Sequence, residues 1–205
     1  MPLTKYAVMV SGGGTNLQSL IDSVIPARIV CVISSKEGAY ALTRAEKAGI
    51  PTRVIQKKDF KTKDEFDRAN LEALKSSGAQ FVVLAGYMQI LGAELVEEYK
   101  NRIINIHPSL IPSFCGIGYY GLKVHEAVLA YGVKVTGATV HLVDSGADTG
   151  PIILQSPVEV MPGDTPEVLQ QRVMLTEHKL LPRTVRLMSE DKLTVAGRIV
   201  HLKED

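Results

Sequence analysis

An α/β fold built on a doubly wound, mostly parallel sheet, with an antiparallel portion toward the C-terminus, is the architecture that this 205-residue chain predicts. First, strand-like and helix-like patterns alternate through roughly its first half, the βαβ rhythm of a parallel sheet. Second, the strands read as unbroken apolar runs rather than as alternations. Phe81-Val82-Val83-Leu84 is the clearest, as expected of a strand covered on both faces. Third, the rhythm changes after residue 112 to two long β patterns joined by turn formers, which suits an antiparallel pair.

The elements follow in order. Tyr6 to Val10 is the first strand and Asn16 to Ser23 the helix after it; Arg28 to Ile33 and Ala39 to Ala48 form the second pair, Thr52 to Ile55 and Lys63 to Ser76 the third. Gly49-Ile50-Pro51 and Gly78 end the second and third helices, because glycine accepts the left-handed backbone that closes a helix and proline cannot continue one. Phe81 to Leu84, a helix from Ala93 to Tyr99, and a strand from Arg102 complete this half. Leu122 to Ala130 is a short amphipathic helix with Val124, Ala127 and Val128 on its apolar side. Val133 to Val143 and Pro151 to Val160 are the two long strands, separated by Asp144-Ser145-Gly146-Ala147-Asp148-Thr149-Gly150. Asp164-Thr165-Pro166-Glu167 opens a final long helix: Thr165 or Asp164 can cap it, Pro166 is tolerated in its first turn, and Glu167 favours the positive end of its dipole. The expectation is one domain over residues 1–205, with an N-terminal half over about 1–100 and a C-terminal half over about 101–205.

Composition narrows the class. Hydrophobic residues make up 45% and charged residues 22%, and the formal net charge is +1, which gives no reason to expect nucleic acid or a membrane as partner. Cys31 lies in an apolar run and Cys115 in a glycine-rich loop, so the two cysteines suggest neither a disulfide framework nor a metal site. No histidine spacing resembles a zinc site. With no signal-like or membrane-spanning run, the natural expectation is a cytoplasmic enzyme or binding protein acting on small molecules.

Two segments carry chemistry. Ser11-Gly12-Gly13-Gly14-Thr15-Asn16 follows the first strand and precedes a helix, so its N–H groups can converge on a phosphate. It lacks the Gly-Lys-Ser/Thr ending of a P-loop, has Leu17 where a dinucleotide fingerprint has its third glycine, and is followed by a second strand ending in Ser34-Ser35 rather than an acid, all of which weigh against a nicotinamide cofactor. In Asn105-Ile106-His107-Pro108-Ser109-Leu110-Ile111-Pro112, Ile103, Ile104 and Ile106 turn inward while Asn105 and His107 share a parity, so an amide and a titratable ring project together from the strand's C-terminal end. Asp148 or its rival Asp144 is the acid that could meet His107; both also read as turn residues bonding their own backbone. His141 reads as a core or sheet-face histidine, and His125 and His178 fall on helices.

Four motifs, in one register from about Tyr6 to Leu187, resemble the phosphoribosylglycinamide formyltransferase family: Ser11 to Leu17, Leu84-Ala85-Gly86-Tyr87-Met88-Gln89-Ile90-Leu91, Asn105 to Pro112, and Asp148-Thr149-Gly150-Pro151-Ile152-Ile153. The resemblance implies transfer of a formyl group from 10-formyltetrahydrofolate, a co-substrate, to the amine of glycinamide ribonucleotide, in purine synthesis and without a metal. It implies that Asn105 and His107 face the formyl oxygen, with His107 protonated, and that Asp148 keeps His107 charged or oriented and helps move a proton through water. It also implies that Gly12, Gly13, Gly14, Thr15 and Asn16 hold the ribonucleotide phosphate, that Glu177 contacts the ribose, and that Lys63, Met88, Gln89, Ile90 and Leu91, with Asn105, serve the folate. Gln89 stands where many members carry arginine, Lys63 near another arginine position, and the loop 114–121 is slightly longer than the common form. The resemblance implies a nucleotide-phosphate half over about 1–100 and a catalytic and folate half over about 101–205, and the expected state is a monomer or homodimer.

The competing functions are formyltetrahydrofolate hydrolase, another formyltransferase such as one acting on methionyl-tRNA, and a catalytically silent nucleotide- or folate-binding module. A hydrolase of this kind is expected to carry a further N-terminal domain and a tRNA enzyme a further C-terminal one with a basic surface, so length and charge weigh against both.

Overall fold

A computed structural model describes residues 3–203, which fall into two compact units divided between Ile104 and Asn105. The first unit contains β1 (Thr4–Val10), α1 (Thr15–Ile21), β2 (Ala27–Ser34), α2 (Tyr40–Lys47), β3 (Thr52–Val54), α3 (Lys63–Ser77), β4 (Phe81–Leu84) and α4 (Ala93–Glu98). β1 pairs in parallel with both β2 and β4, and β2 with β3, so the strand order is β3-β2-β1-β4. The order reverses direction at β1, so the turn leaving β1 lies at a switch point, where open α/β sheets bind ligands. The unbroken apolar runs are buried as expected: Val8, Met9, Val82 and Val83 are inaccessible to solvent, and Tyr6 stacks on Phe81 with ring centroids 5.0 Å apart. α3 begins with a capping box, in which the Thr62 hydroxyl accepts from the Glu65 amide and the Glu65 carboxylate accepts from the Thr62 amide. It ends on left-handed Gly78.

β5 (Ile103–His107) gives its first two residues to the first unit and its last three to the second. The second unit continues with α5 (Leu122–Tyr131), β6 (Val135–Leu142), β7 (Ile152–Glu159), α6 (Pro166–Ser189), β8 (Leu193–Ala196) and β9 (Ile199–Leu202). β6 and β7 pair antiparallel, as their turn-former linker predicts, and a register shift between Val140 and His141 gives β7 one extra residue there. α6 is capped by the Thr165 hydroxyl, while Asp164 takes a bidentate pair from Arg172. The apolar periodicity predicts no element after this last helix. β8 and β9 form an antiparallel hairpin there, and Ile152 of β7 pairs in parallel with Ile199 of β9. The short runs alternate and are half exposed, so no apolar stripe announces them.

On α5 the apolar side differs from the expected one. Val124 and Val128 are buried, and so is His125, whereas Ala127 is only half-buried. His125 is 1% exposed, and its Nδ1 has no hydrogen-bond partner among the described residues. Burial pushes its pKa down to about 4, and the neighbouring His107 adds to the effect. The unfolded chain therefore takes up a proton at His125 as the pH falls through about 6.5, whereas the folded chain does so only near 4. Stability present above pH 6.5 is lost on the way down to 4, by about 3 kcal/mol from this residue. Urea unfolding at about pH 7.5 and about pH 4 checks it: the difference between the two pH values is expected to shrink by about that amount in His125→Gln. An unchanged difference would contradict the assignment.

Candidate active site

The site in the second unit starts at the C-terminal end of β5. Asn105 and His107 leave the strand on one side, and the loop after them is tied to the sheet by one buried hydroxyl. Thr139 Oγ1 donates to the Ser109 carbonyl (2.7 Å) and accepts from the Ile111 amide (3.1 Å) and from Gln155 Nε2 (2.9 Å). Gln155 also donates to the Ile111 carbonyl, and Ser109 Oγ to that of Ser113. The loop is thus held in one shape by β6 and β7 as well as by Pro108 and Pro112.

Asp148, not Asp144, meets the imidazole. Asp148 Oδ2 lies 3.4 Å from His107 Nδ1, and Oδ1 accepts from Asn105 Nδ2 at 3.2 Å. Asp144 is occupied by its own turn, accepting from the Gly146 amide and the Thr149 hydroxyl. The backbone makes the choice. Asp148 adopts the left-handed conformation (φ 57°), which Asp tolerates better than most residues. Gly150 then packs so closely on the Leu142 carbonyl that no side chain could stand there.

Two contributors are not foreseen by the sequence pattern. His141, expected to be a core histidine, is 2% exposed yet belongs to the cluster: its Nδ1 donates to the Leu142 carbonyl (2.8 Å), and its Nε2 lies 3.1 Å from Asn105 Nδ2 and 3.5 Å from Asp148 Oδ1. The irregularity in β7 beside His141 is the signal that sequence could not carry. The loop backbone is the second contributor. His107 Nε2 donates to the Phe114 carbonyl (2.9 Å), and the Gly116 amide donates to Asp148 Oδ2 (2.9 Å).

Electrostatics follow from this packing. Burial raises Asp148, but the His141 side chain, the charge of His107 and the Gly116 amide outweigh it and hold the carboxyl below its ordinary value. His107 goes the other way from expectation. Burial lowers its pKa, and Asp148 and the Phe114 carbonyl recover only part of the loss. In this state Asp148 therefore does not hold His107 charged beyond the ordinary range; both ring nitrogens face acceptors, but the site is too dry for the charge to be favoured outright. Asn105 is also committed, its amide donating to Asp148 and to His141, so an oxygen entering the site must exchange one of these bonds.

In the first unit the glycine turn runs from β1 into α1. Gly12 and Gly13 are exposed, with open space where side chains would be, and Gly14 is left-handed (φ 72°) with room for no Cβ, which would lie 2.6 Å from that of Ala41. Thr15 and Asn16 are half-buried in the first turn of α1. The Ser11 hydroxyl bonds that of Ser35 (2.6 Å) and accepts the Met88 amide (2.9 Å), tying this turn to the segment after β4. That segment presents Met88 and Ile90 to solvent at 44% and 59% exposure, with Gln89 and Leu91 half-buried. Lys63 opens α3 with its ammonium on Asp67. Glu177 is buried on α6 in the second unit. Among the described residues no cluster of His, Cys, Asp or Glu is arranged to hold a metal ion, and no helix is long and apolar enough to cross a membrane.

A glycine turn after the first strand of one unit and an Asn-His-Asp cluster in the other define a class, and comparison supplies it: residues 4–185 match the family described as formyl transferase. The chain belongs to that family. It is 38% identical to phosphoribosylglycinamide formyltransferase of Haemophilus influenzae, over 98% of this chain and 94% of that one. It superimposes on the crystal structure of glycinamide ribonucleotide transformylase 1 from Symbiobacterium toebii with a TM-score of 0.93 and 40% identity, covering 98% and 95% of the two chains. It is also 46% identical, over 98% of its length, to the trifunctional purine biosynthetic protein adenosine-3 of Bos taurus, of which it spans only 20%.

Proposed function

We propose that this protein transfers a formyl group from 10-formyltetrahydrofolate to the primary amine of glycinamide ribonucleotide, giving formylglycinamide ribonucleotide and tetrahydrofolate in purine biosynthesis. The observation that carries the reading is the Phe114 carbonyl oxygen 2.9 Å from His107 Nε2, with Asn105 and Asp148 beside the ring. That a carbonyl oxygen accepts from the ring nitrogen supports a reading in which the formyl oxygen of the substrate takes its place. As the amine attacks, negative charge grows on that oxygen, and His107 Nε2–H together with one N–H of Asn105 stabilises it. The Asn105 bond released is the one to His141.

Proton balance assigns the remaining roles. The attacking amine loses a proton and the departing folate nitrogen gains one, so none is consumed. Asp148, held ionised, accepts the first through water, and the loosely held proton of His107 is well placed to be returned. The Gly12–Asn16 turn takes the ribonucleotide phosphate and Glu177 the ribose hydroxyls. Met88, Gln89, Ile90 and Leu91 line the slot for the flat folate ring, which accounts for two large apolar side chains left facing water. Lys63 reaches the folate carboxylate only by leaving Asp67, a small cost for an exposed pair.

The competing reading on the same scaffold is hydrolysis of the formyl donor. Folate absorbance followed with and without glycinamide ribonucleotide separates them. Turnover is expected only when the amine is present; equal turnover in its absence would establish a hydrolase instead.

A further inference from the structure

We propose that Arg44 is a positioning residue for the phosphate-binding turn, fixing the direction in which the turn's amides point without touching the phosphate. This rests on the reading that the Gly12–Asn16 turn receives the ribonucleotide phosphate. Two consecutive carbonyls of the turn are taken by α2: Gly12 O accepts from the Ala41 amide at 3.1 Å and Gly13 O from Arg44 Nε at 2.9 Å. Both peptides are trans, and in a trans peptide the N–H points opposite to the C=O. Holding the Gly12 carbonyl on α2 therefore turns the Gly13 N–H away from α2. Holding the Gly13 carbonyl does the same for the Gly14 N–H. The two donors thus point away from α2, and separately nothing lies within 4 Å of a Cβ built on Gly12 or Gly13.

The backbone would not hold this arrangement unaided. Glycine has the widest choice of φ and ψ, and three in succession leave a turn that can rotate its peptides out of alignment. The Ala41 amide fixes the first peptide by a bond within the fold. The second depends on one side chain. Arg44 is itself held on two sides, its Nη1 donating to Gln18 Oε1 at 3.0 Å and its guanidinium lying 4.9 Å above the Tyr40 ring. Arg44 also makes no ion pair with a carboxylate among the described residues, so its charge stays uncompensated behind the turn and favours an anion in front of it. A lysine could reach the Gly13 carbonyl but has no planar fork to bond Gln18 and stack on Tyr40 at the same time.

The test is steady-state kinetics of the full chain carrying Arg44→Ala or Arg44→Lys, with inorganic phosphate as the competing anion. Loss of one charge-assisted hydrogen bond is expected to raise the KM for the ribonucleotide about tenfold in Arg44→Ala. The inhibition constant of inorganic phosphate is expected to rise in parallel, while kcat and the KM for the folate stay within about twofold. Arg44→Lys falls between that variant and the wild type. Unchanged ribonucleotide KM and phosphate inhibition in Arg44→Ala would overturn the proposal. So would a loss spread equally over kcat and both KM values with no rescue by lysine, which marks a merely structural role. If the wild-type protein transfers no formyl group to glycinamide ribonucleotide, the functional reading fails; phosphate affinity measured by chemical-shift titration in wild type and Arg44→Ala still decides the role of Arg44.

Discussion

Replacing His107 by alanine is expected to lower kcat about a thousandfold while ribonucleotide affinity changes by no more than about threefold. Two losses combine. Nε2–H is the donor that now meets the Phe114 carbonyl and would meet the oxyanion, and removing one such donor alone costs about a hundredfold to a thousandfold. In the proposed mechanism the ring also returns a proton to the departing folate nitrogen. Binding of the ribonucleotide phosphate survives because the glycine turn belongs to the first unit and shares no hydrogen bond with His107. Retention of more than about a tenth of wild-type kcat would remove His107 from the mechanism.

Asp148→Asn is expected to lower kcat by at least about a hundredfold, for a different reason. The shape of the side chain is kept and its charge is lost. Asp148 accepts from Asn105 and Gly116 while lying against both His107 and His141; an amide in its place must turn its NH2 toward at least one of these donors. In the proposed mechanism the base that takes the amine proton goes with it. A second readout follows from the electrostatics. Asp148 opposes the downward pull of burial on His107, so the ring should titrate lower still in the variant, as followed by the imidazole resonances. A His107 pKa that rises, or stays where it was, would mean that the carboxylate does not act on the ring.

Much of this site is legible in the amino-acid sequence because its side chains sit where periodicity places them. Asn105 and His107 share the parity of a strand that buries Ile103, Ile104 and Ile106, and the glycines of the first turn follow an apolar strand directly. What is not legible depends on the backbone. Asp144 and Asp148 stand in one run of turn formers with equal claims, and only the left-handed conformation at Asp148 and the tight packing of Gly150 decide between them. His141 looks like any histidine on a buried strand until the register shift in β7 and the position of Asn105 are known. Phe114 and Gly116 contribute a carbonyl and an amide, which every residue but proline possesses, so their identity carries no signal. The β8–β9 hairpin carries a weak local signal: Gly197-Arg198 separates two short runs, and left-handed Gly197 (φ 60°) makes the turn.

In the proposed reaction the formyl carbon moves from a folate nitrogen to the ribonucleotide amine without release to water. Its most direct test is to supply 10-formyltetrahydrofolate labelled in the formyl carbon together with glycinamide ribonucleotide, and to follow the label by mass spectrometry as tetrahydrofolate accumulates. All of it should appear in formylglycinamide ribonucleotide, one equivalent for each tetrahydrofolate formed. Label recovered as formate in proportion to tetrahydrofolate, with the ribonucleotide unchanged, would contradict it.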